Sequence, residues 1–143
     1  MTTAIDPAAL LEALADAVVA CDAKGAIVVW NAAAERLFGY TRAEAMGQSL
    51  DIIIPERLRG RHWEGYDKTM ASGHTKYGHD TLRVPAIDKA GRTMSIAFTV
   101  ALLFGTDGKP STIVSVIRDE TQRFAEERAL RKRITELETQ AKR

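Results

Sequence analysis

Cysteine is almost missing from this sequence. Cys21 stands alone, so neither an intramolecular disulfide nor a CxxC metal site can form. Long apolar runs are missing too. The longest fall far short of the ~20 residues that cross a bilayer, and the first ten residues lack the basic start and apolar stretch of a signal peptide. Charge of one sign is lacking: 20 lysines and arginines face 19 acidic residues, for a net charge of +1. That balance gives no electrostatic reason to expect nucleic acid or an anionic membrane as partner. Serine-nucleophile motifs, phosphate loops and HExxH are absent. No Asp, Glu or His pair has a spacing that argues for acid–base work. His74 and His79 have no carboxylate or cysteine at ligand spacing and read as solvated loop residues. The expectation is a cytoplasmic, non-catalytic protein without a membrane anchor.

What is present fits one compact domain with an extension. Asp6-Pro7 starts a short helix, with Asp6 as cap and Pro7 at a position where its missing N–H is harmless. Leu10, Leu11 and Leu14 share a face, and the helix ends near Asp16. Ala17–Cys21 and Ala26–Trp30 flank Asp22-Ala23-Lys24-Gly25 and read as an antiparallel hairpin. Asn31 caps a helix stopped by Gly39. Thr41-Arg42-Ala43-Glu44 is a capping box opening another, which Gly47 ends. A longer helix is expected from Pro55 to about Ser72, with Gly73 as its stop.

The period then changes. Asp80–Ile87, Arg92–Phe104 and Ser111–Ile117 read as strands joined by hairpin turns. In the second of these, Met94, Ile96, Phe98, Val100 and Leu102 alternate with Ser95, Ala97, Thr99 and Ala101, giving one large apolar face and one small one. The small face is suited to the amino-terminal helix or a second subunit. The helices between the second and third strands must cover one face of a five-stranded antiparallel sheet, so the fold class is α+β.

From Thr121 onward there is no glycine or proline, and about half the residues after Ile117 are charged, as in a solvated helix. Leu130, Ile134, Leu137 and Ala141 recur at spacings of four, three and four, which is a heptad seam. Backward extension puts Glu127 and Arg123 on seam positions, so the regular coil begins near Leu130. A parallel homodimer through this helix is expected. Phe124 lies off the seam and is expected to dock on the domain. The expected organisation is a helical cap over 1–15, a domain over 16–120 and a signalling and dimerisation helix over 121–143.

The ordered set Asp16-Ala17-Val18-Val19-Ala20-Cys21-Asp22, Gly25, Trp30-Asn31, Ala33-Ala34-Glu35-Arg36-Leu37-Phe38-Gly39-Tyr40, Glu44, Gly47, Ile54-Pro55-Glu56, Arg61-His62 and Arg118-Asp119-Glu120-Thr121 resembles the PAS (sensory box) family across residues 14 to 121. The resemblance implies a sensor in which a pocket between sheet and helices shifts the sheet, and a flanking helix carries the shift to an effector domain, a partner kinase or a regulator of a two-component system. It implies Arg118, Asp119 and Thr121 as relay residues. Leu82, Val84, Ile96, Phe98 and Val100 should line the interior, with Trp30 and Trp63 available for stacking.

The cofactor stays open. His62 matches the residue that ligates haem b iron in the oxygen-sensing PAS domains of rhizobial sensor kinases, and a neutral imidazole is a suitable axial ligand. Those domains place an arginine on the next strand, where this chain has Leu82. Arg83 is one residue along and faces the other way. A flavin forming a cysteine adduct does not fit, because the Asn-Cys-Arg motif of the light-sensing relatives is absent and Cys21 reads as a small buried residue. Non-covalent flavin, a small organic ligand and a cofactor-free interaction module remain alternatives.

Overall fold

The computed structural model describes residues 3–75 and 79–142, so the extreme ends of the expected amino- and carboxy-terminal segments lie outside it. Helix α1 spans Pro7–Ala13, with the Asp6 carboxylate accepting from the Ala8 N–H. Strands β1 (Ala17–Asp22) and β2 (Ile27–Trp30) form the first hairpin. Helices α2 (Ala32–Phe38) and α3 (Arg42–Ala45) follow, then two 3₁₀ turns, Leu50–Ile53 and Glu56–Leu58, and helix α4 (Arg59–Ser72). Strands β3 (Leu82–Ile87), β4 (Thr93–Phe104) and β5 (Pro110–Asp119) complete the domain, and helix α5 spans Thr121–Ala141. The five strands form one antiparallel sheet in the order β2-β1-β5-β4-β3. The expected closure of the carboxy-terminal strands on the amino-terminal hairpin is thus made by β5 against β1.

The alternation read from the sequence decides which side is covered. Ala17, Val19 and Cys21 of β1, Met94 and Ile96 of β4, and Ile113 and Ile117 of β5 join Ala33, Ala34, Phe38 and Ile53 in one core. Trp30 and Phe38 lie at its centre with ring centroids 5.5 Å apart. The Trp30 indole N–H donates to the Tyr40 carbonyl at 3.0 Å. A buried ring of this size contributes about 2–3 kcal/mol through lost water contact, provided its polar atom finds a partner.

The capping signals hold in detail. The Ala34 N–H donates to Asn31 Oδ1 at 3.0 Å. Both bonds of the Thr41–Glu44 capping box form, at 2.9 and 3.2 Å. Gly39 and Gly73 close α2 and α4 in the left-handed region, at φ 80° and 73°, where a side chain would meet its own carbonyl.

Several expectations from the sequence differ from the structure. The helix expected from Pro55 begins at Arg59, because Pro55 is extended (ψ 137°) and the next residues take a 3₁₀ turn. Ala26 leaves β2 and instead bridges to Ser49. β5 runs on through Arg118 and Asp119, which pair with Ala97 and Ile96, so the link to α5 is Glu120 alone. Phe124 does not dock in the domain. It is 48% exposed, with the Arg128 guanidinium 5.8 Å from its ring centre. The small-residue face of β4 does not receive α1. Thr99 and Ala101 are exposed, and α1 is tied instead to α3 by the Glu12–Arg42 ion pair.

Candidate functional site

Helix α4 carries the histidine singled out in the sequence. His62 stands on its first turn, half-buried, with its ring edge-on to Trp63 at 4.6 Å and tilted against Tyr66 at 5.8 Å. Its Nδ1 is buried without a hydrogen-bond partner. Burial pushes its pKa below the ordinary 6.5, against an opposing pull from the Asp51 carboxylate. Desolvation disfavours imidazolium, so the ring is neutral near pH 7.

Neighbouring side chains fix the helix. The Trp63 indole N–H donates to Asp51 Oδ1 at 2.7 Å, and Arg59 donates to the Ile54 and Asp51 carbonyls at 3.1 and 3.2 Å. The Tyr66 hydroxyl donates to the Asp22 carbonyl. The Trp63 ring lies so close over Gly25 (φ 83°) that a Cβ there would overlap it. Glycine at the hairpin turn therefore serves both the turn and the seating of α4. Trp63 closes the end of the core over the first hairpin, and Trp30 belongs to the core itself, so neither ring stands free as a stacking platform.

Register places the five expected lining residues on one face. Leu82 is opposite Phe98 and Val84 opposite Ile96, while Phe98 and Val100 pair with Ile117 and Ser115. Ile96 is buried; Phe98 and Val100 are partly buried against the core. Leu82 is intermediate, and Val84, at 37% exposure, stands at the open edge. Arg83 pairs with Ala97 on the opposite face. Cys21 is buried, and desolvation pushes its thiol up to about 12, so it is no nucleophile near neutral pH. Two open hollows among the described residues lie elsewhere. One of about 590 Å³ lies between the turns at Asp22–Lys24 and Gly105–Lys109. The other, of about 220 Å³, lies between α1, β2 and α3.

The residues expected to act as a relay form a latch where β5 becomes α5. The Glu120 N–H donates to the Ser95 carbonyl at 2.8 Å, and the Ser95 N–H donates to the Thr121 hydroxyl oxygen at 3.0 Å. Thr121 donates in turn to Asp119 Oδ1, through its hydroxyl at 2.6 Å and its N–H at 2.9 Å. Arg118 binds both oxygens of Asp16, at 3.2 and 3.1 Å, joining the end of β5 to the approach of β1. Sequence reasoning missed Asp16, Ser95 and Asp51 as partners. It also gave Asn31 too small a role. Asn31 is fully buried; its Oδ1 accepts from Val18 as well as Ala34, and its Nδ2 donates to the Leu11 and Asp16 carbonyls. A polar residue set between Trp30 and a run of alanines was the available signal.

Beyond the latch, Leu130, Ile134 and Leu137 are 63%, 53% and 47% exposed. They and Ala141 lie on a helix whose described residues are all exposed.

This is an α+β domain that encloses a core beneath short helices and hands its central strand on to a free helix. Residues 5–120 match the model of the PAS fold, and the chain belongs to that family. It is 32% identical over 123 residues to an uncharacterized protein of Azorhizobium caulinodans, covering 85% of this chain and 16% of that protein. It is 43% identical over 53 residues to the sensor protein FixL of Bradyrhizobium diazoefficiens, covering 37% of this chain and 10% of FixL. The chain thus spans a small part of both relatives. Among solved structures, the PAS domain of a protein from Colwellia psychrerythraea superposes with a TM-score of 0.70 at 22% identity, covering 80% of this chain and 94% of that one. No described helix is long and apolar enough to cross a membrane.

Proposed function

We propose that the chain is a non-catalytic sensory module of a cytoplasmic signal-transduction system, with a domain over 16–120, an amino-terminal cap before it and an output helix after it. A signal received beneath the helices moves β4 and β5, and the latch passes that motion to α5, which pairs with a second copy and acts on an effector domain or partner kinase. The observation that carries this reading is the pair of hydrogen bonds between Ser95 and the Glu120–Thr121 segment. They hold the start of the helix to the residue beside Ile96, on the strand lining the interior. Thr121→Val removes the hydroxyl while keeping the shape of the side chain. That hydroxyl makes two hydrogen bonds, with Ser95 and Asp119, and their loss, together at least ~1 kcal/mol, should raise amide exchange in the first two turns of α5 at least about fivefold. Unchanged exchange there would overturn the relay.

A second reading is haem sensing, favoured by the partnerless nitrogen of His62. A neutral, desolvated imidazole is a fitting axial donor, and Leu82, Ile96, Phe98 and Val100 would supply apolar contacts to the ring. Held by His62, haem would supply an iron able to bind a small gas. Leu82, standing where an arginine is found in the oxygen-sensing relatives, would offer no hydrogen-bond donor to that gas. The check is the visible spectrum of purified protein after haem addition. A Soret band lost in His62→Ala supports haem. A featureless spectrum removes it and leaves a small organic ligand, or a packed core whose function is protein–protein interaction.

A further inference from the structure

Helix α5 has a face away from its apolar seam, and its charges are sorted there. Arg128 and Lys132 stand two residues to either side of the seam residue Leu130, which places them ~200° round the helix, on the opposite side. Their stripe, Thr121, Ala125, Arg128, Lys132, Thr135 and Thr139, recurs at spacings of four, three, four, three and four and holds no carboxylate. Phe124 and Arg131 lie along one edge of it, and all of these residues are exposed. The other arginines described on the helix are engaged: Arg123 pairs with Glu127 and Arg133 with Glu136, each at 3.4 Å. Arg128, Arg131 and Lys132 form no ion pair among the described residues. Arg128 is held instead over the Phe124 ring, 5.8 Å from its centre. The Thr135 and Thr139 hydroxyls turn back to the Arg131 and Thr135 carbonyls at 3.0 and 2.9 Å. What this face shows to a partner is three cations beside an exposed aromatic ring, with no anion among them.

We propose that this face of α5 docks an acidic segment of a partner protein. The proposal rests on the reading of α5 as the output helix and names the chemistry of what that helix meets. Three unpaired cations between Arg128 and Lys132, within ~6 Å of helix, match a short run of carboxylates, which accept strong hydrogen bonds from guanidinium and ammonium groups. Arginine beside an aromatic ring is also the composition that anchors protein–protein contacts. A nucleic-acid backbone presents a continuous line of charge, and the stripe does not answer one. Glu136 and Glu138 border it beyond Lys132, where they would repel phosphates. Docking here leaves the seam free, so the same helix can pair and bind at once.

The test is fluorescence anisotropy on the 143-residue chain with two labelled probes, a polyglutamate peptide of about 20 residues and a single-stranded RNA of about 20 nucleotides. Arg128→Gln with Arg131→Gln and Lys132→Gln removes the three cations and keeps good helix formers in their place. It should weaken peptide binding at least about tenfold. Arg123→Gln with Arg133→Gln removes two cations that already have partners and should change binding less than about twofold. None of the five positions is buried, and far-ultraviolet circular dichroism checks that the helix is kept. Failure of the unaltered protein to bind the peptide would overturn the proposal. An equal loss in the two variants would also overturn it, because the attraction would then belong to any cation on the helix. Tighter binding of the RNA through the same three residues would assign the face to nucleic acid and overturn it as well. Each of these outcomes leaves the Thr121→Val exchange experiment, which reads the relay, standing on its own.

Discussion

At the scale of single residues, His62 is the most informative group. Its pKa is depressed by burial, and in the unfolded chain it returns to ~6.5. Between the folded value and 6.5 the unfolded chain binds more protons, so stability rises with pH through that window and is lost as pH falls through it. The urea midpoint should therefore drop between about pH 7 and pH 5, and His62→Phe should flatten that part of the profile. The two carboxylates with lowered pKa, Glu44 and Asp88, titrate below this range and leave the slope above pH 5 to the histidine. An identical slope in His62→Phe would show that the ring is not held neutral by its surroundings. His62 was visible in the sequence because of its place in a recognisable order of motifs. Its packing against Trp63 and Tyr66, and the Asp51 contact that positions Trp63, arise from the tertiary arrangement of α4 over the first hairpin, which spacing along the chain does not encode.

At the scale of elements, Asn31 joins more pieces than any other side chain described here. It ties the end of α1, the approach to β1, β1 itself and the start of α2 through four hydrogen bonds, using its full capacity of two donors and two accepted bonds. Asn31→Ala leaves two backbone N–H groups and two carbonyls without it. At ~1–3 kcal/mol for a buried group left unpaired, with partial rescue by water, the domain should lose about 3 kcal/mol. Denaturant unfolding measures this, and a loss under 1 kcal/mol would show that the network contributes little. The same scale shows how far the pattern of the chain reaches. Strand alternation in Thr93–Phe104, the three capping signals and the stop glycines were all legible, because each depends on neighbours within four residues. Less legible were the 3₁₀ entry to α4, the continuation of β5 to Asp119 and the ties of α1 to Asn31 and Arg42. The last two depend on partners many residues away, and the first on Arg59 reaching back to the Ile54 and Asp51 carbonyls, none of which single-sequence periodicity registers.

At the scale of the molecule, two regimes of packing meet at one residue. Before Glu120 the chain is an enclosed domain with a continuous core; after it, every described residue of α5 is exposed. Leu137→Glu places a charge on the seam and should weaken self-association at least about tenfold. Analytical ultracentrifugation is the measurement, and an unchanged dimer fraction would mean that copies associate through another surface.

The single-residue junction at Glu120 also sets a mechanical ratio. A helix of this length extends ~30 Å from its root, so a tilt of ~10° at the latch carries its tip sideways by ~5 Å, about the rise of one helical turn. A displacement within the sheet too small to break a backbone hydrogen bond is thus amplified by leverage into one large enough to change which side chains meet at the far end.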